Sequence, residues 1–290
     1  MATGEQRLSV RTGSLRGVIA LALGFAPVGA VLAQSMASPS MECSSAVSAS
    51  RVVVQVAAAS VVTGIEYRDM ARQGRWHMAR ETDRGAIAAH PSSHLHAFGS
   101  YRMARSLSAA TCGSRAAFRR SAVRGAAISL AIGTAKEVSD GRYNGFSPTD
   151  LAVDAVGAGY AVAQAYLPAL RHVTPSITVA PRAFVSKNGP TAALTDYANQ
   201  TMWLSANVHE LLPASVSRAW PSALRMSMGR RAYGNGAASD YVLGLDVDAA
   251  QLPGSHPAWM RIKQVMHNVR LPGPALVMGA NGTRTVGLYW

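Results

Sequence analysis

Seven polar residues in the middle of the chain combine side-chain types that bind metals or transfer protons. The set comprises His96, Tyr101, Lys136, Glu137, Asp140, Asp150 and Asp154. Asp150 and Asp154 are four residues apart, which places both carboxylates on one face of a helix. An imidazole beside carboxylates supplies ligands for a divalent cation and the groups that general acid–base catalysis requires.

Three hypotheses account for this set. In the first, Lys136, Arg142 and the acids form a structural ion-pair network between helices. In the second, the cluster binds a divalent metal, and the candidate ligands are His96, Glu137 and Asp154. In the third, the cluster performs acid–base chemistry on an envelope substrate, and the candidate catalytic residues are His96, Glu137, Asp150 and Asp154. Three further side chains are the candidates for binding: Lys136, Asp140 and Tyr101.

Motifs typical of other enzyme classes do not occur in the sequence. There is no HExxH pair, no nucleophile elbow and no phosphate-binding glycine loop. Gly157-Ala-Gly159 lies inside a predicted helix and does not follow a strand, so it fails the context of a dinucleotide-binding turn. We therefore predict no cofactor, and a divalent metal is the one candidate that the residues leave open.

Three predicted helices, each rich in small residues, must position the cluster. They cover about residues 94–107, 117–139 and 147–170. Ser147 and Pro148, with Asp150 at the third position, form a typical helix start. Small residues at positions 155, 159 and 163 share one face and predict close contact between helices. An earlier apolar segment, Val52 to Tyr67, is compatible with either a helix or a strand.

The pattern changes after Pro175 to short stretches of alternating polarity. Leu224, Met226 and Met228 alternate with polar residues, and so do Tyr241, Leu243, Leu245 and Val247, with Asp246 and Asp248 on the other face. Asn281-Gly282 predicts a hairpin turn, and a helix is expected over about 257–269. The fold class predicted is α+β: an N-terminal bundle of small-residue-rich helices, then a C-terminal antiparallel sheet with one or two helices.

The N-terminus has the pattern of an export signal. Arg7, Arg11 and Arg16 precede an apolar stretch that runs from Val18 to Ala33, as in a secretory signal peptide. We therefore predict a signal peptide over 1–33, a flexible linker over 34–50, a helical domain over 51–174 and a mostly antiparallel β domain over 175–290. The predicted location is the periplasm or the membrane-associated cell envelope. In that oxidising compartment a disulfide between Cys43 and Cys112 is an open alternative.

Composition limits the choice of partners. The formal net charge is +13, yet charged residues make up only 15% of the chain and hydrophobic residues 49%. The arginines are scattered singly, without a nucleic-acid-binding motif, so no nucleic-acid partner is predicted. A low charge density with a basic balance is instead typical of contact with a membrane surface or with envelope proteins.

Several motifs resemble a known family. Residues 94–101 (HLHAFGSY), 133–141 (GTAKEVSDG) and 145–157 (GFSPTDLAVDAVG) are similar to the YfiM-like family of predicted periplasmic lipoproteins, whose function is unknown. The order of histidine, glutamate and Ser-x-x-Asp turn is also distantly similar to VanZ-like membrane proteins. Family members usually carry Asp-Lys shortly before the histidine, where this chain has Ser92-Ser93, and no cysteine stands at the lipid-anchoring position.

The resemblance implies a location in the envelope and supplies no reaction. The sequence therefore predicts an exported cell-envelope protein with a structural or interaction role at a membrane face. The alternative is an envelope hydrolase or metal-dependent enzyme that uses the cluster around His96 and Glu137.

Overall fold

The computed structural model describes residues 49–69, 74–80, 91–108, 114–184, 199–233, 238–266, 270 and 273–289. The predicted signal peptide lies outside these residues, as do Cys43 and Cys112. Most of the predicted linker also lies outside them, but its last two residues, Ala49 and Ser50, begin the first helix.

The N-terminal half of the described chain is helical. Its long helices are α1 (Ala49–Asp69), α2 (Pro91–Leu107), α3 (Arg115–Asp140) and α4 (Pro148–Tyr166), followed by a 3-10 turn over Pro168–His172. The segment from Val52 to Tyr67 is therefore helical. Helix α4 ends at Tyr166 and not near Leu170, because Pro168 lacks the backbone N–H that the next turn would need.

The contact between α2 and α4 depends on small residues, but not on the predicted ones. The buried face of α4 carries Gly157, Ala158 and Ala161, whereas Gly159 is exposed. A Cβ atom at Gly157 would overlap the carbonyl group of Ala97 on α2, and a Cβ at Gly159 would meet nothing within 4 Å. The expectation that positions 155, 159 and 163 form the packing face is therefore wrong; the face lies about two residues away.

The C-terminal half forms one six-stranded antiparallel sheet in the order β1 to β6. The strands are β1 (Val173–Val179), β2 (Gln200–Ala206), β3 (Leu224–Tyr233), β4 (Ala238–Val247), β5 (Gly273–Met278) and β6 (Arg284–Tyr289). Short helices connect them: α5 (Pro181–Phe184), α6 (Val208–Leu211), α7 (Ala214–Ser217) and α8 (Pro257–Met266), with a 3-10 turn over Ala249–Gln251. The predicted α+β class is confirmed, and β1 begins two residues before the predicted domain boundary.

The predicted hairpin joins β5 and β6. Its loop covers residues 279–283, longer than a two-residue turn, because strand pairing already closes at Met278 and Arg284. Gly282 has a φ of 80°, a left-handed conformation that glycine adopts without steric cost. The side chain of Asn281 accepts hydrogen bonds from the backbone N–H and the hydroxyl of Thr283.

The two faces of the sheet have the opposite polarity from that of most half-exposed sheets. Along β4, Val242 and Asp246 are buried, whereas Tyr241 and Leu243 are exposed. The polar residues of β3 likewise face inward: Arg225 and Ser227 are buried, and Met226 and Met228 are exposed. Antiparallel sheets usually pack their apolar face on the core. Here polar and apolar residues alternate as predicted, but most of the buried positions are polar and the exposed ones are apolar.

Hydrogen bonds and ion pairs occupy much of the inner face, beside a small apolar cluster of Trp203, Val242 and Ala275. Arg225 Nη2 lies 2.6 Å from Asp246 Oδ2, and the hydroxyl of Ser205 donates to the same oxygen at 3.1 Å. The guanidinium of Arg270 lies 3.7 Å over the ring of Trp203, in a cation–π contact that burial strengthens. These partners offset part of the cost of burying charged groups, since Arg225 Nε and Asp246 Oδ1 are buried without a hydrogen-bond partner.

The sheet curls around this polar interior. Trp203 on β2 and Tyr289 on β6 have ring centroids 6.0 Å apart, and the guanidinium of Arg231 on β3 lies 4.8 Å over the Tyr289 ring. In a flat sheet, strands four places apart would be separated by about 19 Å. The inner face is therefore concave, and the outer face is convex.

The helices and the sheet meet at the start of β1. Tyr160 and Gln164 of α4 both donate hydrogen bonds to the carbonyl of Val173, at 3.0 and 2.8 Å. A second contact joins Arg230 on β3 to His94 on α2, with 2.9 Å between Nη1 and Nε2. Within the described residues, no helix is both long and apolar enough to cross a bilayer.

The close approach of α2 and α4 predicts opposite effects for two neighbouring glycines. Gly157→Ala should destabilise the protein by about 1–3 kcal/mol, because the new methyl group forces the helices apart. Gly159→Ala should stabilise it by about 0.5–1 kcal/mol through helix propensity alone. Urea unfolding followed by circular dichroism measures both, and equal effects at the two positions would contradict the described helix contact.

Candidate functional site

The predicted catalytic candidates meet where α2, α3 and α4 converge. His96 lies on α2, Glu137 in the last turn of α3, and Asp150 and Asp154 in the first two turns of α4. The structure therefore brings together side chains that are up to 58 positions apart in the printed chain.

The start of α4 fixes the two aspartates. The Ser147 side chain accepts a hydrogen bond of 3.0 Å from the backbone N–H of Asp150, and Pro148 occupies the first turn. This is the N-cap arrangement that the sequence predicted. Because α3 ends at Asp140, the connection is short and Glu137 stays close to the new helix.

A segment over residues 74–80 braces that connection. The backbone N–H of His77 donates to the carbonyl of Gly141, and that of Phe146 donates to the carbonyl of His77. The ring of Trp76 packs on Phe146 with centroids 5.9 Å apart. No pattern in the sequence indicated this brace, because its contacts join residues more than 60 positions apart.

Three carboxylates surround one imidazole. His96 Nδ1 lies 3.4 Å from Asp154 Oδ1 and 3.8 Å from Glu137 Oε1, and His96 Nε2 lies 3.9 Å from Asp150 Oδ2. The side chain of Glu137 is only 1% exposed, whereas those of His96 and Asp150 are 17% and 23% exposed. The cluster thus has a buried floor at Glu137 and an opening to solvent between His96 and Asp150.

Lys136 and Asp140 form an ion pair beside the cluster. Lys136 Nζ lies 2.6 Å from Asp140 Oδ2 and 3.9 Å from Glu137 Oε1. The spacing of four residues along α3 allows the close pair. This part of the set therefore fits the ion-pair hypothesis, and Lys136 contributes positive charge to the edge of the site.

Glu137 is incompletely satisfied. Its Oε2 accepts one long hydrogen bond, 3.4 Å, from the backbone N–H of Ser147, and its buried Oε1 has no hydrogen-bond partner. Burial raises the pKa of Glu137 from 4.5 to about 7, although the charges of Lys136 and His96 act in the opposite direction. A buried carboxylate oxygen without a partner is costly, so this atom needs a proton or a cation.

The environment of His96 favours positive charge. Burial alone would lower the pKa of this imidazole, but the contact with Asp154 and the charge of Asp150 raise it above its ordinary value of 6.5. His96 therefore lies in a site that stabilises cations.

The spacing of the ligand atoms is compatible with a bound metal. One atom each from His96, Glu137 and Asp150 lies within 4.8 Å of the others. Ligands bound to one zinc ion at about 2.0–2.2 Å are roughly 3–4 Å apart, so small side-chain movements would suffice. Asp154 was the third metal ligand predicted from the sequence. In the structure the third ligand atom of the group belongs to Asp150, and Asp154 contacts His96.

Gly133 makes room for Asp154. A Cβ atom at position 133 of α3 would lie 2.7 Å from Asp154 Oδ2. The sequence analysis included Gly133 only as the first residue of the motif over 133–141, and its role beside a carboxylate could not be predicted from spacing alone.

Tyr101 is directed to a different part of the helical core. Its hydroxyl donates to Gln164 Oε1 at 3.2 Å, and its ring packs on Tyr160 with centroids 5.6 Å apart. Gln164 lies ten residues beyond Asp154, or about 15 Å along α4. The predicted binding role of Tyr101 therefore has no support in its contacts.

A cleft of about 560 Å³ lies at the β5–β6 hairpin, away from the cluster. Asp240 is the one carboxylate among the described residues that line it, together with Asn281 and Thr283. Its Oδ1 already accepts a hydrogen bond from the backbone of Ala280. The described lining of the cleft therefore lacks the combination of a histidine with several carboxylates that the helical cluster has.

Comparisons with protein-family models, with curated proteins and with solved structures find no match to this chain. The resemblance to the YfiM-like family accordingly stays a prediction.

The raised pKa values predict how the metal-free protein responds to pH. Glu137 and His96 both bind protons more tightly in the folded state, so their contribution to stability is lost as pH rises. For Glu137 the loss falls between pH 4.5 and about 7 and amounts to at most ~3 kcal/mol. Urea unfolding in the presence of a chelator should show this decline in the wild type and much less of it in Glu137→Gln.

The exposed residue Glu210 supplies the matched control. Glu210→Gln should keep the pH slope of the wild type, because this side chain lies on the surface. An unchanged slope in Glu137→Gln would show that Glu137 does not take up a proton on folding.

Proposed function

We propose that this chain is an exported cell-envelope protein whose helical domain binds a divalent metal ion between α2, α3 and α4. One observation carries the proposal: Glu137 Oε1 is buried without a hydrogen-bond partner and belongs to a group of ligand atoms completed by His96 and Asp150. Buried charges in proteins are paired or coordinate metals.

The charge of the cluster supports a dication. Asp150, Asp154 and Glu137 all face His96, so even a protonated imidazole leaves an excess of negative charge. Lys136 is committed chiefly to Asp140. A divalent ion would offset the excess and would allow Glu137 to stay ionised at neutral pH.

The donor set narrows the class of metal. Carboxylate oxygens suit Mg²⁺ and Mn²⁺, whereas an imidazole favours Zn²⁺ and other later transition metals. A set with one nitrogen and two or three oxygens therefore fits Zn²⁺ or Mn²⁺ best. Asp154, 3.4 Å from His96 Nδ1, would then orient the imidazole, a role that carboxylates often have beside metal-bound histidines.

The opening of the site supports a hydrolytic role. Three protein ligands leave coordination positions for water, and a bound metal would supply a Lewis acid that activates it. The partly exposed side chains of His96 and Asp150 lie where a substrate could approach. An envelope hydrolase is therefore the enzymatic form of this proposal, and a site for metal storage or stabilisation is its non-enzymatic form.

The proposed location depends on the N-terminal sequence. Arg7, Arg11 and Arg16 before the apolar stretch of residues 18–33 support export. The proposed role at a membrane face draws separate support from the outer surface of the sheet, where large apolar side chains are exposed.

Metal binding is tested directly on the purified protein. After removal of metal with a chelator, titration with Zn²⁺ and with Mn²⁺ in a calorimeter should show one site per chain for at least one of them. Glu137→Gln and His96→Gln should each weaken binding at least tenfold, since each removes a ligand. Glu210→Gln should bind as the wild type does.

The opposite result would favour the ion-pair hypothesis. If neither metal binds, or if both ligand variants bind as tightly as the wild type, the cluster is a proton-linked ion-pair network. Thermal unfolding gives a second measurement, because a ligand that binds only the folded chain must raise the melting temperature with concentration.

A further inference from the structure

The convex side of the sheet carries a continuous apolar band. One register row crosses all six strands and contains no charged residue: Pro175, Leu204, Met228, Leu243, Leu276 and Val286. The adjacent row toward one end adds Met226 and Leu288. We call these eight residues the convex apolar face.

The large side chains of this face are exposed to an unusual degree. Their exposed fractions range from 36% for Leu276 to 82% for Val286, with Met228 at 56% and Leu243 at 44%. Contiguous apolar surface of this kind marks a site of interaction with a protein or a membrane. The inner face is not available for such an interaction, because Arg225, Asp246 and their partners are buried there.

One end of the band is basic and aromatic. The next register row contains Tyr241 and Arg284; Arg230 lies on the same row, but its guanidinium already contacts His94 of α2. Tyrosine and arginine concentrate where apolar surface meets lipid headgroups, because each combines an apolar body with a polar tip. Arg284 is exposed and complements an anionic headgroup.

The shape of the face favours lipid over another protein. The contact between Trp203 and Tyr289 shows that the sheet curls toward its polar side, so the apolar residues lie on the outside of the curve. A rigid partner or a second copy would touch a convex surface only along a narrow strip. Acyl chains are fluid and can follow it.

From these observations we infer that the convex apolar face lies against the acyl chains of an anionic lipid surface, with Tyr241 and Arg284 at the headgroups. The inference goes beyond metal binding, because it concerns a different domain and shares no residue with the helical cluster. It assigns the predicted membrane contact to β2–β6.

A polarity-sensitive fluorophore tests the contact at a single position. Cys43 and Cys112 are replaced by serine, and NBD is attached to the full chain at Leu243→Cys on the face. The matched control carries it at Val156→Cys, an exposed apolar position on α4. Vesicles of phosphatidylglycerol should raise the NBD emission several-fold and shift it to the blue at position 243, and leave it unchanged at position 156.

Headgroup charge and folding are checked in the same system. Adding Arg284→Glu to the Leu243→Cys chain should weaken the response to phosphatidylglycerol vesicles severalfold. Circular dichroism confirms the fold of each variant, and Met228→Cys replaces Leu243→Cys if the latter does not fold.

Three outcomes would overturn the inference. The first is an unchanged emission at position 243 although the chain floats with the vesicles, which would show that another part of the chain binds lipid. The second is an equal response at positions 243 and 156. The third is a concentration-dependent blue shift at 243 without vesicles, which would show that a second copy covers the face.

Discussion

The burial of one carboxylate constrains the helical domain. Glu137 lies at the end of α3 with one buried oxygen that accepts no hydrogen bond, and the cost of that burial must be offset by a proton, a cation or nearby positive charge. The surrounding features serve this requirement: Ser147 donates its backbone N–H, Lys136 lies 3.9 Å away, and the imidazole of His96 faces the free oxygen. A metal ion would satisfy the same requirement with the ligands already present.

Both halves of the chain bury polar groups, although the helices also share an apolar core around Tyr101 and Ala158. In the helices the cluster around His96 lies beside that core, and small residues such as Gly157 let the backbones approach. In the sheet the interior contains the Arg225–Asp246 pair and a series of serines. The apolar side chains thereby left outside, Leu243 among them, form the surface through which we propose that the protein contacts lipid.

Local signals predicted the parts of the structure that depend on local physics. Ser147 and Pro148 gave the start of α4, the spacing of Asp150 and Asp154 gave a shared face, and Asn281-Gly282 gave the hairpin. The prediction of which face of α4 packs against α2 was wrong, because small residues occur on more than one side of that helix. The sequence could not predict that the polar face of the sheet is the buried one, since alternation has the same period whichever face is buried. The brace over residues 74–80 and the partner of Tyr101 depend on distant contacts that no local pattern records.

The most direct measurement of the central claim is a crystal structure grown with Mn²⁺ and recorded with anomalous scattering. The account predicts an anomalous peak between His96, Glu137 and Asp150, with the peak within about 2.0–2.3 Å of one atom of each. The contradicting result is a site without a peak, in which His96 forms a direct hydrogen bond with Asp154 and Glu137 carries a proton. In that case the cluster would be a structural ion-pair network, and the helices would be held together by protons and not by a metal.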